Sequence, residues 1–357
     1  MDSISFERWT VAIRIRMDAR ALARSTFGTS PAVEVVGVVR SRGRHAMPHV
    51  RDWYDAALAR VPERHLEVLH ALVPAAGDHP HVPDFLCPPP AGVAEPVGAV
   101  VERIAATPPE VVDYQLDISV DGRPVRPEVA GQWGSEAAYR GWRRTPPPAL
   151  LQLVGDGPRV IAQRAAEAVA AVFERVLAGP WPEVMAVLEA DIAHRGTVVV
   201  QEGAEALLTG LGEGFTWTGE EVVLDRPYDG TVDWAGDGML LVPSTVHTGP
   251  VRFAAEQPEP PMVIYAARGV ARLWEENDPA PGRALEQLVG ATRARVLSLL
   301  EEPRTTTELS RRGGWSEATT SYHLGVLLRA RLVSRSRRGR SVLYRRTPLG
   351  DALAGGG

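Results

Sequence analysis

The chain has 357 residues, 45% of them hydrophobic, and a formal charge of −5, a composition that fits a globular protein with more than one folded unit. Its single cysteine, Cys87, excludes a disulfide framework and suits a reducing compartment. No run reaches the roughly 18 apolar residues of a membrane span, and the start of the chain lacks the basic-then-apolar pattern of a signal peptide, so a cytoplasmic location is expected.

In chain order, residues 6–17 alternate apolar and charged side chains from Val11 onward and predict a strand. Asp18 caps a short helix towards Phe27. Ser30, with Pro31 at the first helical position, opens another to about residue 42. Short helices are expected at 49–61 and 63–72. A proline-punctuated loop covers 78–91, helices follow at 97–106 and 109–116, and 121–148 is broken up by Gly and Pro. The clearest helix is 158–178, with Ile161, Ala165, Ala168, Val172, Phe173 and Val176 on one stripe and Arg164, Glu167, Glu174 and Arg175 opposite. A second long helix opens at Pro182 and runs towards Leu208.

From Phe215 the period changes to two. Residues 215–225 predict a hairpin around Gly219, and 231–246 a second around Gly236 to Gly238. Residues 251–253 and 262–267 are further short strands. A small antiparallel sheet around 215–266, lying on a helical layer, is expected. Residues 275–282, EENDPAPG, form the predicted boundary. The expected organisation is a helical effector or dimerisation domain, 1–280, and a second domain, 281–357; the fold class is α+β, mainly α with small antiparallel sheets.

The last stretch is the most specific. Thr305 and Glu308 make a capping box, Gly313-Gly314 breaks the helix they start, and Ser316 caps a second one running to about Ala330. On a wheel, Thr320, Leu324, Leu327 and the stem of Arg331 turn to the core, while Ala318, Thr319, Tyr322 and Arg329 face outward. That outer face carries no acid beyond Glu317 and suits a major groove. Two β-rich segments, 332–336 and 341–345, flank a turn with Arg337, Arg338 and Arg340, a cationic tip for phosphate or the minor groove. All 39 basic residues are arginine. Residues 285–357 hold thirteen of them against six carboxylates, about +7, which leaves about −12 for the remainder.

SEATTSYHLGVLLRARLV, with the strand pair ending in VLYRRTPLG, resembles the winged helix-turn-helix of ArsR/SmtB-type bacterial repressors; Ser316, Ser321, His323, Leu324 and Leu327 fall on the family's skeleton. Family members often carry Ala-Gly-Leu-Val after this helix; here it is Ala330-Arg331-Leu332-Val333. More loosely, the whole chain is similar to actinobacterial regulators with a long N-terminal domain of unknown function. The resemblance implies a homodimeric repressor on a near-palindromic double-stranded DNA operator; from the two-part architecture, release by a small organic effector in the N-terminal domain is expected, and no cofactor is. The expected DNA contacts are Ser316, Thr319, Thr320, Ser321, Tyr322, His323, Arg329, Arg337, Arg338 and Arg340.

In the N-terminal part, Asp191, His194 and Arg195 lie at i, i+3 and i+4 on a predicted helix. With Trp181 they are either a ligand-reading cluster or a structural ion network. An enzyme with its active site around Asp191 and His194 is the alternative function; no nucleophile elbow, phosphate loop or dinucleotide fingerprint supports it. Asp78, His79, His81, Asp84 and Cys87 could in principle share a metal, but Pro80 and Pro83 point to a loop shaped by proline, and no metal is expected. Eight of the nine Trp precede Glu275; they read either as core or as the lining of an apolar pocket.

Overall fold

The computed structural model describes residues 12–42, 48–212, 214–226, 228–234, 238–247, 249–254, 261–273, 285–286, 288–300, 302–338 and 341–355. The chain divides into two units, Met1–Leu273 and Trp274–Gly357.

The hub of the first unit is the helix Pro158–Val172. Small and β-branched side chains cover most of its circumference, and Ile161, Ala162, Ala165, Ala166, Ala168, Val169 and Val172 are all buried. Alanine at four of these positions lets neighbouring helices approach closely. The hub packs against Glu63–Leu72, Val97–Ala105, Pro109–Ser119, Pro148–Asp156 and Pro31–Ser41. It continues as a π-helical turn, Phe173–Leu177, and the charged stripe of Arg164, Glu167, Glu174 and Arg175 is exposed as expected. The next helix, Trp181–Glu202, stops short of Leu208 because Gly203 takes φ +93°; a separate short helix, Ala204–Thr209, follows. Helix starts follow the capping logic. Asp18 Oδ1 accepts from the Ala21 amide at 2.7 Å, and Ser30 Oγ accepts from the Val33 amide at 3.3 Å. The helix Pro148–Asp156 was not anticipated from the sequence.

The strands are β1 (Ala12–Met17), β2 (Thr26–Phe27), β3 (Phe215–Trp217), β4 (Glu221–Asp225), β5 (Gly230–Trp234), β6 (Leu240–Ser244), β7 (Arg252–Ala254) and β8 (Met262–Ala266). They form two sheets, ordered β3-β4-β1-β5 and β2-β6-β8-β7. The first predicted hairpin forms, with β3 antiparallel to β4. The second does not. β5 pairs in parallel with β1, while β6 joins the other sheet in parallel with β2 and β8. The sheets are therefore mixed rather than antiparallel. Five buried residues in a row on β6 explain this, since a strand covered on both faces suits a parallel setting. The expected turn at Gly236 and the start of the chain before residue 12 lie outside the described residues.

The second unit has a helix Ala291–Ser298, then β9 (Arg304–Thr305), a helix Thr306–Gly313, a helix Glu317–Arg329, the strands β10 (Val333–Arg338) and β11 (Ser341–Arg346), and a last helix Pro348–Gly355. The sheet order is β10-β11-β9, antiparallel throughout. Leu297, Leu309, Leu324 and Leu327 centre its core.

Candidate nucleic-acid interface

The Thr306–Gly313 helix starts on a full capping box: Thr305 Oγ1 accepts from the Glu308 amide at 3.3 Å, and Glu308 Oε2 accepts from the Thr305 amide at 2.8 Å. The amide bond, then the Thr305 hydroxyl, holds the Glu308 carboxyl below its ordinary range. Gly314 closes the helix at φ +72°, a left-handed value that costs glycine nothing. Ser316 then caps the next helix, its Oγ accepting from the Thr319 amide at 3.1 Å.

Two hydroxyls lock the pair of helices together. Ser310 donates to Thr320 Oγ1 at 2.8 Å, and Thr320 donates to the Ser316 carbonyl at 3.1 Å. Thr320, Leu324 and Leu327 are fully or almost fully buried. Thr320 is thus removed from the set of expected DNA contacts, because its hydroxyl is spent inside the unit. Arg331 also departs from expectation: it is exposed beyond the helix end, with φ +59°, instead of laying its stem on the core.

The outward face is as polar as its sequence. Ser316, Thr319, Ser321, Tyr322 and Arg329 are exposed, Tyr322 to 66%. His323 is half-buried on the flank, its ring 5.3 Å from that of Tyr322 and its Nδ1 buried without a partner. The Ser316 and Thr319 hydroxyls share a 2.8 Å hydrogen bond that a phosphate oxygen could replace. On the hairpin, Arg335 and Arg337 stand two residues apart on β10, both exposed, opposite Tyr344 and Val342. Arg338 ends β10, while Gly339 and Arg340, the turn itself, lie outside the described residues, as does the side chain of Arg338. Arg335 was not singled out from the sequence as a candidate contact, although the period of two from Arg337 could have found it; nor were Arg311 and Arg312, exposed at the end of the first helix. Among the described residues no hydrogen bond or ion pair occupies the guanidinium groups of Arg311, Arg312, Arg329 or Arg335, whereas Arg346 is held by Asp351 at 2.8 Å.

Residues 291–335 match the family described as helix-turn-helix domain. The helix-turn-helix is a DNA-binding device, and the chain is on that basis a DNA-binding regulator in outline. No curated protein and no solved structure matches the chain.

The four residues expected to read a ligand are not gathered around an opening. Asp191 and Arg195 are buried and paired at 2.9 Å; Asp191 also accepts from Tyr265 Oη at 2.8 Å and from the Arg268 amide at 3.1 Å. Arg195 stacks 4.2 Å from the Tyr265 ring centroid and donates to the Gly210 carbonyl at 3.3 Å. Burial first, then the Asp191 charge, pushes the Tyr265 hydroxyl well above its ordinary pKa. This is a closed clasp between helix and sheet. His194 is exposed beside Arg268, and Trp181 packs on Phe173 at 5.1 Å. Of the loop histidines, His79 is likewise engaged: its Nδ1 accepts from the His81 amide at 3.2 Å, and its Nε2 lies 3.1 Å from the Trp142 carbonyl. Burial pushes the Cys87 thiol up to about 12. Among the described residues no three His, Cys, Asp or Glu side chains stand together as metal ligands.

Proposed function

We propose that the chain is a sequence-specific transcriptional regulator of the ArsR/SmtB type, a homodimeric repressor released by a small organic ligand bound in its N-terminal unit. The observation that carries this reading is the exposed Glu317–Arg329 helix face, which presents hydroxyls, Tyr322 and Arg329 with one carboxylate at its edge. Such a face can lie in a major groove without repelling phosphate. Two copies would place two of these helices in successive grooves of a near-palindromic site, about one helical turn apart. Thr319, Ser321, Tyr322 and His323 would meet base edges or phosphates, while Arg335, Arg337, Arg338 and Arg340 would hold the flanking backbone. No catalytic role is included. Both carboxylate oxygens of Asp191, the centre of the alternative enzymatic reading, are occupied by protein donors.

The test is fluorescence anisotropy of the full chain on DNA from upstream of its own coding sequence, at two salt concentrations. With several phosphates neutralised per half-site, affinity should fall on the order of 10³-fold between about 50 and 200 mM salt. Sedimentation should show a dimer bound per site. Equal affinity for unrelated DNA would remove sequence specificity, and a monomer on the site would remove the two-helix geometry.

A further inference from the structure

The N-terminal unit holds a cavity of about 450 Å³ bounded by the Pro31–Ser41 helix, the loop through His81, Trp142 and strand β7, within the usual size range of small-molecule sites. Three arginines line it: Arg40, Arg226 and Arg252. None has a carboxylate within ion-pair distance among the described residues, although Asp84 and Asp225 also line the space. Arg40 donates to the Pro74 carbonyl at 3.2 Å and the His79 carbonyl at 2.8 Å; Arg226 donates to the carbonyls of Asp225 and Val251. Carbonyls satisfy guanidinium donors without cancelling their charge. The Arg252 guanidinium forms no hydrogen bond with the described residues, and like charges gathered out of bulk water are costly unless something anionic joins them. Burial first, then the charges of Arg252 and Arg42, lowers the Arg40 pKa to about 10.

The rest of the lining says more about the occupant. His81 Nε2 and Trp142 Nε1 are both buried without a partner, and both residues line the cavity. His247, the other histidine on the wall, is engaged by the Pro250 carbonyl at 2.9 Å. Trp142 belongs to an aromatic cluster, 4.6 Å from Trp133, which in turn lies 4.6 Å from Tyr228. Val246, Phe253 and Ile264 add apolar wall. Charge in excess of its partners, orphaned polar atoms and flat apolar surface occur together.

We infer that this cavity binds a small organic acid, its anionic group held by Arg252 with Arg40 and Arg226, and its apolar body set against Trp142 and the apolar wall. As an effector site it rests on the regulator reading above; as a binding site it does not. The experiment uses the full chain, with 4-hydroxybenzoate and benzoate as probes, benzamide as the neutral isostere and inorganic phosphate as the bare anion, read by calorimetry. The two carboxylates should bind, and benzamide and phosphate should each bind about tenfold or more weakly. Arg252→Ala should lose about tenfold in carboxylate affinity with an unchanged circular dichroism spectrum, because the wild-type guanidinium holds no other group in place among the described residues. Benzamide or phosphate binding as tightly as benzoate, full affinity in Arg252→Ala, or no binding of either carboxylate would overturn the assignment. DNA anisotropy on the same sample separates the two ideas: anion binding without DNA binding sinks the regulator alone, and DNA binding without anion binding sinks this site alone.

Discussion

Arg331 occupies a backbone position built for glycine. The Leu332 amide donates to the Leu327 carbonyl at 2.9 Å and the Arg331 amide to the Leu328 carbonyl at 3.1 Å, the paired closure of a helix whose next residue is left-handed. A side chain there costs about 1–2 kcal/mol, part of which glycine would give back through its freer unfolded state. Arg331→Gly should therefore raise the stability of the C-terminal unit by about 0.5–1 kcal/mol, seen as a higher thermal midpoint; a lower midpoint would mean that the arginine stem contributes packing. Asp191 is the opposite case. Asp191→Asn strips a buried guanidinium of its counter-charge and should cost the N-terminal unit about 3 kcal/mol or more, measured by chemical denaturation. Glu34 is fully buried and accepts from the Thr245 amide at 3.0 Å and from its hydroxyl. Burial outweighs these bonds and raises its pKa above 4.5. The folded chain then holds this proton more tightly than the unfolded one, so Glu34's contribution is complete below pH 4.5 and is lost as pH rises through the folded value. Glu34→Gln should flatten that part of the stability profile, and an unchanged profile would refute the cause.

At the scale of elements, the two halves of the DNA-facing unit should fail differently. Arg335 and Arg337 to Ala should weaken binding to all sequences alike and reduce the salt slope by about one for each phosphate no longer neutralised. Thr319→Ala or Tyr322→Ala should instead relax base preference, costing about 1–3 kcal/mol on the preferred site. If both pairs changed only the salt slope, the helix would be gripping backbone rather than reading bases. This unit was legible in the sequence because its signals are local: the Thr305–Glu308 box, Gly314, the Ser316 cap and the leucine spacing all act within a few residues. The hairpin β3–β4 was legible for the same reason. The placement of β5 and β6 was not, since glycines between two period-two segments look like a turn, while the true partner of β5 is β1, far away in the chain. The arginine-lined cavity was equally hidden, because Arg40, Arg226 and Arg252 are scattered and only folding gathers them. The Asp191–Arg195 spacing was visible, but whether it faced a ligand or a neighbouring tyrosine depended on β8, which supplies Tyr265.

Within the N-terminal unit, His81 and His247 are kept uncharged at neutral pH. Burial is the leading cause at both, and it lowers His81 to about 3 and His247 to about 4, against an ordinary 6.5. Their contribution is present above 6.5 and is lost as pH falls through the folded values, opposite in sign to that of Glu34. Acid unfolding of this unit should begin below pH 6.5, and His247→Gln should weaken that part of the profile; an onset independent of the histidines would assign it to carboxylates. The pairing of β1 with β4 and β5 has a consequence for how the protein is made. Ala12 meets Asp225 and Ile13 meets Gly230, so the amino end emerges from the ribosome long before its mates exist. The helices of the middle can assemble meanwhile around Pro158–Val172, but a nascent chain stalled ahead of β4 would trail an open strand edge, ready to join a stranger.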